Sequence, residues 1–149
     1  MELIGYAIHN GRKLFEPLAS RMDMVPELRV IFCVDIGRQY GDTSPDSEIV
    51  RRFATDFRAR HWPWSKLPEV FYDPRSLVAS GPLRASLHAK CVVVDREVAL
   101  VTSANFTEAA QHRNIEAGVL IRHRGMVERI ASYFEGLRTA SRLLACPLT

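Results

Sequence analysis

The sequence predicts an α/β fold in which a mixed β-sheet is flanked by helices. Short runs of apolar, often β-branched residues have the length of single strands. Longer segments between them repeat apolar residues at three- and four-residue spacing, which is typical of helices packed on a sheet. The chain has 149 residues, enough to bury one sizeable core, so we expect a single domain over residues 1–149.

The first half of the chain is expected to alternate strands and helices. Ser47 follows a loop rich in Gly, Asp, Ser and Pro, and we expect it to cap the second helix. Pro63 lacks an amide hydrogen and is expected to end that helix with its bulky neighbours. The expected elements are a strand at 3–8, a helix at 12–22, a strand at 28–35, a helix at 47–60 and a strand at 69–72.

The second half is expected to hold three strands in succession and a long final helix. Residues 73–84 contain Pro74, Gly81 and Pro82 and are expected to form a loop. The expected elements are strands at 86–94, 98–101 and 115–121 and a helix at 125–144. Apolar residues near helical spacing predict that helix, namely Val127, Ile130, Phe134, Leu137 and Leu144.

A His and a Lys interrupt the apolar run of the strand at 86–94. His88 and Lys90 are two positions apart, so both project from the same face of a strand. Lys is almost never buried without a partner, and an imidazole beside an ammonium is a poor structural pair. Together they suit an anion, because Lys offers a charge to a phosphoryl oxygen and His offers a nucleophile or a proton. The pair therefore predicts a chemically active phosphate site.

Further polar residues are expected at the same end of the sheet. Ser103 and Asn105 follow the strand at 98–101, and their donors suit the other oxygens of a phosphoryl group. Glu116 lies in the next strand, where a carboxylate can fix the tautomer of an imidazole. Asp95 lies at the turn after the strand at 86–94, where a structural role suits it as well as a catalytic one.

This pattern resembles the signature of the phospholipase D superfamily, H-x-K-x4-D-x6-G-S-x-N. Every polar position of that signature is matched, by His88, Lys90, Asp95, Ser103 and Asn105. Thr102 stands where the family usually has Gly, and Glu116 matches a carboxylate that members often carry. The strands at 3–8 and 28–35 share the resemblance. The sequence of residues 86–121 most resembles Nuc-like bacterial phosphodiesterases with one motif, including the phospholipase D-like component of a phage-defence system.

The family's chemistry uses two His-Lys motifs in one active site. One His attacks phosphorus to form a phosphohistidine, and the other protonates the leaving oxygen and then activates water. Because this chain has one motif, the resemblance implies an isologous homodimer with one shared active site. It implies a metal-independent phosphodiesterase that needs no cofactor. A hydrolase of this kind and size is expected to be a nuclease that binds nucleic acid, DNA in preference to RNA.

The resemblance also assigns a role to each matched residue. His88 is the nucleophile in one chain and the general acid and base in the other. Lys90 and Asn105 bind the phosphoryl oxygens, Ser103 assists, and Glu116 orients an imidazole.

Weaker candidates for substrate binding lie around the motif. Arg75 and Arg84 are placed to contact backbone phosphates and His112 to approach the site, and the alternative for each is a solvated loop side chain. Arginines in the second helix form either a polyanion groove or a solvated face, and the tryptophans after them either stack on bases or fill the core. These residues are Arg51, Arg52, Arg58, Arg60, Trp62 and Trp64.

Net charge, cysteine content and hydropathy indicate the cellular compartment and the kinds of site to expect. The net charge of +3 is only mildly basic. Three Cys without a CxxC pair argue against a zinc site and for a reducing cytoplasm, and Cys91 is either a buried inert thiol or a reactive one beside the motif. The sequence has neither a signal peptide nor an apolar run of about 18 residues, so we expect a cytoplasmic protein without a membrane partner.

Two alternative functions stay open. One is a phospholipid hydrolase or transferase, against which the lack of a transmembrane or basic amphipathic helix argues. The other is a non-catalytic nucleic-acid-binding subunit, held in an antiviral defence complex with partner proteins, whose motif only grips phosphate.

Overall fold

The computed structural model describes residues 1–5, 8, 11–79 and 84–149. Within these residues a mixed sheet of seven strands has the order β6-β5-β4-β1-β2-β3-β7. The strands are β1 (Glu2–Gly5), β2 (Ile31–Val34), β3 (Glu69–Tyr72), β4 (Cys91–Val94), β5 (Val98–Thr102), β6 (Gly118–Ile121) and β7 (Leu144–Ala145). The helices are α1 (Gly11–Met24), α2 (Asp46–Asp56), α3 (Glu108–His112) and α4 (Arg124–Thr139). The predicted α/β class with a mixed sheet is confirmed.

The strand directions bring several chain segments to one end of the sheet. β1, β2 and β3 run parallel, whereas β4 is antiparallel to β1 and continues into an antiparallel meander with β5 and β6. The carboxyl ends of β1, β2, β3 and β5 therefore lie beside the amino ends of β4 and β6. We call this the upper end of the sheet. Its strand residues are Gly5, Val34, Tyr72, Cys91, Thr102 and Gly118.

Helices cover both faces of the central strands. Phe32 of β2 is buried with Phe15 of α1 on one face, whereas its neighbour Cys33 is buried on the other. There α4 contributes Phe134 to the cluster around Cys33 and Val127 to a second cluster. A fully buried apolar side chain contributes about 1.5–3 kcal/mol, and a register shift of one residue would turn each of them to the wrong face. The core thus fixes the strand register, and with it the upper end.

The first half agrees with the predicted alternation. α1 extends the predicted helix by a residue at its start and two at its end, and β3 has the predicted bounds. β1 and β2 are shorter than predicted. Residues 6 and 7 of the first predicted strand lie outside the described residues, and Ile8 forms an isolated parallel bridge to Phe106.

The predicted cap of the second helix is wrong. α2 begins at Asp46, with Pro45 as the N-cap and no side-chain hydrogen bond to the first turn. Asp46 and Glu48 lie in that first turn, where their negative charges interact favourably with the helix dipole. The helix continues into a π-helical turn at Phe57–His61 and ends before Pro63, as the sequence predicted.

In the second half, several predicted elements are longer than the observed ones. The strand expected at 86–94 is observed only as β4, whose pairing with its neighbours begins at Cys91. Residues 86–90 therefore precede the strand. β6 begins at Gly118 rather than at residue 115. The predicted helix at 125–144 ends at Thr139 because Ser141 takes a left-handed conformation with φ 54°, and Leu144 belongs to β7. In the loop expected at 73–84, Pro74–Leu77 form a 3-10 turn, and Gly81 and Pro82 lie outside the described residues.

No helix among the described residues is long and apolar enough to cross a lipid bilayer.

Candidate active site

The His-Lys pair lies at the upper end of the sheet, just before β4. Lys90 Nζ donates a hydrogen bond of 2.8 Å to the backbone oxygen of His88 and lies 3.2 Å from His88 Nδ1. Lys90 is 8% exposed, whereas His88 is open to solvent. The structure therefore brings the two side chains together as predicted, although they precede the ladder. A buried ammonium beside an accessible imidazole is an arrangement suited to a bound anion.

A carboxylate from the neighbouring strand holds this segment in place. Asp35 follows β2, and its Oδ1 accepts a hydrogen bond of 2.8 Å from the backbone nitrogen of Leu87. Leu87 is buried against Phe134, so both its side chain and its backbone are fixed. Burial raises the pKa of Asp35. Sequence reasoning missed Asp35, and the available signal was an acidic residue at the end of an otherwise apolar strand.

Glu116 and Ser103 form a second part of the site. Ser103 Oγ donates a hydrogen bond of 2.5 Å to Glu116 Oε2 and accepts one of 3.1 Å from the backbone nitrogen of Ala117. Asn114 Nδ2 donates to the other carboxylate oxygen at 3.1 Å. The hydrogen bond from Ser103, then that from Asn114, and then the charge of Lys90 lower the pKa of Glu116. The carboxylate is therefore ionised at neutral pH.

Thr102, which departs from the family signature, ties these parts together. Its backbone nitrogen donates to the backbone oxygen of Lys90 at 3.0 Å. Its Oγ1 donates to Ala117 O and accepts from Ala104 N, both at 3.1 Å. Gly118 pairs with Thr102 across the strands, and a Cβ at Gly118 would lie 3.1 Å from that of Thr102. Glycine at residue 118 thus makes room for threonine at residue 102, a compensation that the sequence analysis did not foresee.

Asn105 carries a polar atom that calls for a partner. Its Oδ1 is buried and accepts no hydrogen bond from the described residues. An unpaired buried oxygen costs about 1–3 kcal/mol, so such atoms in native proteins commonly serve a ligand or a partner. The adjacent bridge between Phe106 and Ile8 keeps this segment beside β1.

Asp95 lies at the other end of β4 from Lys90. Asp95 and Arg96 both have left-handed backbone angles, with φ of 51° and 58°, and Glu97 N donates to Val94 O at 2.9 Å. This is a type I′ hairpin turn, in which Asp is one of the preferred residues. At about 3.3 Å per residue, the length of β4 separates Asp95 from the other matched residues. Of the two roles considered, the structural one fits this position.

The weaker substrate-binding candidates differ in their surroundings. Arg75 forms a forked pair with Asp73, whose Oδ2 lies 2.6 Å from Arg75 Nη2, yet its side chain is 63% exposed. Arg84 Nη2 donates to the backbone oxygen of Arg38 at 3.1 Å, which supports the chain. His112 is exposed at the end of α3. Only Arg75 of these three lines a cleft beside His88.

The aromatic and basic residues of the second helix have structural surroundings. Trp62 is fully buried in the core with Trp64 packed against it, which favours the core-filling alternative. Most of the helix arginines are exposed and form ion pairs, namely Arg51–Glu48, Arg52–Asp42 and Arg60–Asp56. The solvated-face alternative fits them better than a polyanion groove.

The cysteines are buried thiols. Burial raises the pKa of Cys91 to about 12 and that of Cys33 to about 11, so neither is a thiolate at neutral pH. Of the two alternatives for Cys91, the inert one fits. Within the described ranges, no three His, Cys, Asp or Glu side chains come together as metal ligands would.

Comparison with known proteins places this geometry in a family. The model of the family described as "Cardiolipin synthase, PLD-like domain" matches residues 45–138, which is more than half of the chain. No curated protein matches the sequence.

Two solved structures share the fold at low sequence identity. NucT from Helicobacter pylori superposes with a TM-score of 0.60 at 14% identity, over 93% of this chain and 77% of that one. Nuc from Salmonella typhimurium, described as a phospholipase D family member, gives a TM-score of 0.55 at 18% identity, over 90% of this chain and 74% of that one. With the family match and the Nuc-like fold in agreement, the chain belongs to the phospholipase D-like family, and phosphodiester chemistry is the class of function that this membership supports.

Proposed function

We propose that this protein is a metal-independent phosphodiesterase that works as a homodimeric nuclease. The observation that carries the proposal is the buried ammonium of Lys90 beside the accessible imidazole of His88. A fixed positive charge next to a nucleophile stabilises the charge that develops on phosphoryl oxygens during attack.

The reaction divides into two displacements at phosphorus. His88 of one chain attacks and forms a phosphorus–nitrogen bond while the phosphorus–oxygen bond to the leaving group breaks. His88 of the second chain gives its proton to the leaving oxygen, and then takes a proton from the water that cleaves the phosphohistidine. Lys90 and Asn105 hold the non-bridging oxygens. Ser103 and the ionised Glu116 set the charge and hydrogen bonding around the imidazoles.

A second copy is needed because each chain supplies one His-Lys pair. Exposed apolar side chains at the β6 edge of the sheet support the pairing. Leu100 and Leu120 of β5 and β6 are 37% and 54% exposed on one face, and Val101 and Val119 are 41% and 63% exposed on the other. Apolar side chains on an edge strand are typical of surfaces that another chain covers.

The substrate and setting of the enzyme belong to the same proposal. We take DNA as the preferred polymer over RNA and the cytoplasm as the compartment, and a defence complex remains the expected context for partner proteins. The family model's description, which names a cardiolipin synthase, favours phospholipid transfer or hydrolysis as the second candidate.

The test is cleavage of end-labelled single- and double-stranded DNA and RNA in excess EDTA. Wild type is compared with His88→Ala and, as a matched control, with His123→Ala at the start of α4. We expect wild type and His123→Ala to cut and His88→Ala to lose at least 1,000-fold, in line with the loss of about 10³–10⁶ when a nucleophile is removed. Cleavage of phospholipid vesicles instead of nucleic acid would overturn the nuclease assignment, and cutting by all three proteins would rule out His88 chemistry.

A further inference from the structure

A cleft of about 280 Å³ opens beside His88, on the side of the sheet that α4 covers. Its walls come from three parts of the chain: the turn after β3 with Asp73 and Arg75, the residues around His88, and the end of α4. The volume is close to the lower end of the range of about 300–1,000 Å³ found for ligand sites. The cleft thus has a volume suited to one small ligand beside His88.

One wall presents the guanidinium of Arg142. Arg142 lines the cleft, and its side chain makes no hydrogen bond or ion pair with the described part of the chain. Its position is set by the end of α4, where Arg142 N donates to Leu137 O at 2.8 Å and Ser141 N donates to Arg138 O at 3.0 Å. These two bonds form a Schellman motif, which fixes the backbone of the residue that follows the left-handed Ser141. An anchored backbone with an open guanidinium suits a phosphate.

The same cleft offers an aromatic face. Tyr133 lines the cleft, is 63% exposed and lies edge-on to buried Phe134, with ring centroids 5.2 Å apart. This contact limits how the ring can turn. Arg75 lies in the same lining, and its fork to Asp73 uses Nε and Nη2, which leaves Nη1 without a partner among the described residues. An exposed ring in the same cleft as cationic groups is a common device for stacking an unpaired base.

We propose that this cleft binds the nucleotide next to the scissile phosphodiester, with its base against Tyr133 and its phosphate on Arg142. This assignment rests on the proposed nuclease function and adds a binding subsite to it. Asp73 offsets the charge of Arg75, so Arg142 supplies the net positive charge for one phosphate. A base can reach Tyr133 only when it is free of a duplex, so the cleft selects single-stranded segments.

Binding in a cleavage-deficient background tests the subsite separately from catalysis. All proteins carry His88→Ala, and the parent is compared with Tyr133→Ala, Tyr133→Phe, Arg142→Gln and Arg21→Gln. Arg21 lies in the last turn of α1, toward the opposite end of the sheet. The probes are a fluorescein-labelled ten-nucleotide oligodeoxyadenylate and an abasic strand of the same length, and fluorescence anisotropy gives the dissociation constant over a range of salt concentrations.

Each substitution has its own expected signature. Tyr133→Ala should weaken binding of the oligodeoxyadenylate about tenfold and leave the abasic strand unchanged, because one stacked base contributes that much, and Tyr133→Phe should restore the affinity. Arg142→Gln should weaken binding of both strands and reduce the slope of log affinity against log salt by about 0.7, the value for one phosphate contact on a single strand. Arg21→Gln should match the parent.

The outcomes separate the subsite from the nuclease. Equal losses on the two strands for Tyr133→Ala, an unchanged salt slope for Arg142→Gln, or no binding by the parent would each overturn the subsite. Wild-type DNA cleavage together with any of these results would leave the nuclease standing. The expected binding pattern without cleavage would support the subsite and overturn the nuclease. Tyr133 and Arg142 are both exposed, so we expect their variants to fold. Thermal melts of each variant check this.

Discussion

At the scale of single residues, the site depends on a few side chains that act on the backbone of the motif. Asp35 accepts from the backbone of Leu87, and Thr102 joins the backbones of Lys90 and Ala117. The chemistry of His88 and Lys90 was predictable because an imidazole and an ammonium two positions apart in an apolar run have few structural uses. The supporting hydrogen bonds were not, because they join residues far apart in sequence.

The first prediction concerns Asp35. Burial raises the pKa of this carboxyl above its unfolded value, so its ionised form is disfavoured in the folded protein at neutral pH. Asp35→Asn keeps an acceptor for Leu87 and should raise the melting temperature at pH 7 while cleavage persists. Asp35→Ala leaves the Leu87 N–H unsatisfied and should cost about 1–3 kcal/mol and reduce cleavage. Calorimetry and the DNA assay distinguish these results, and lower stability of Asp35→Asn at pH 7 would contradict the argument.

The second prediction concerns the pair of Thr102 and Gly118. A Cβ at residue 118 would lie 3.0 Å from Val101 O and 3.1 Å from the Thr102 Cβ. Gly118→Ala should therefore destabilise the protein by about 1–3 kcal/mol, because overpacked positions force the strands apart. Combining it with Thr102→Gly should destabilise less than the sum of the two single changes. Denaturant titrations of the four proteins measure this coupling, and additive effects would show that the two side chains do not compete for space.

At the scale of elements, hydrophobic spacing predicted the helices and strands whose own sequence has a clear apolar period. The residues of α1 and β3 were predicted closely because apolar periodicity and flanking Pro or polar residues mark them. The two-residue β7 and the five-residue α3 were not predicted. Neither has a period to detect. β7 exists through pairing with β3, and α3 depends on a cap in which Thr107 Oγ1 accepts from Ala110 N. A tertiary contact, the pairing with β3, therefore decides β7, whereas a local capping hydrogen bond decides α3.

The third prediction concerns the end of α4. Ser141 has φ 54°, a conformation that glycine adopts without a steric penalty. Ser141→Gly should therefore stabilise the protein by up to about 1 kcal/mol. Ser20→Gly, at an exposed position inside α1, should instead destabilise it by about 0.5–1 kcal/mol because glycine is unfavourable inside a helix. Paired thermal melts measure both, and destabilisation by Ser141→Gly would argue against the left-handed cap.

At the scale of the whole molecule, burial on both faces of the sheet governs how the fold responds to alkali. Thiols on β2 and β4 lie under α4, where a thiolate would be poorly solvated. At the β6 edge of the sheet, β5 and β6 carry exposed apolar side chains, among them Val119 and Leu120. The sequence left Cys91 either buried and inert or reactive, and it gave no indication that β5 and β6 carry exposed apolar side chains.

The fourth prediction concerns stability at high pH. Folding raises the pKa of Cys91 to about 12 and that of Cys33 to about 11, while an unfolded thiol titrates near 8.5. The neutral thiols thus favour the folded state fully below pH of about 8.5, and this contribution is lost as the pH rises toward the folded values. Urea titrations between pH 7.5 and 10.5 should show falling stability, with a smaller slope for Cys91→Ala. A flat profile for wild type would be inconsistent with buried thiols.

The fifth prediction concerns self-association. Val119→Glu places a charge on the exposed apolar face of β6 and should lower the dimer fraction and the rate of cleavage together by at least tenfold. Met24→Glu, at an equally exposed apolar position at the end of α1, is the matched control and should change neither. Light scattering after gel filtration gives the mass. A dimer that persists in Val119→Glu would show that the copies meet elsewhere.

The position of β1 and β2 in the middle of the sheet has a consequence for how this domain can be divided or recombined. The family match covers residues 45–138 and includes every signature residue, yet β1 and β2 precede it and separate β3 from β4. A fragment that starts at residue 45 would keep the reacting groups. It would lose Asp35 and the two strands β1 and β2, which lie between β3 and β4 in the sheet. Exchange of the signature region between relatives would succeed only if the first two strands are transferred with it. In this architecture the site depends on the complete sheet, so the motif alone is not a transferable unit.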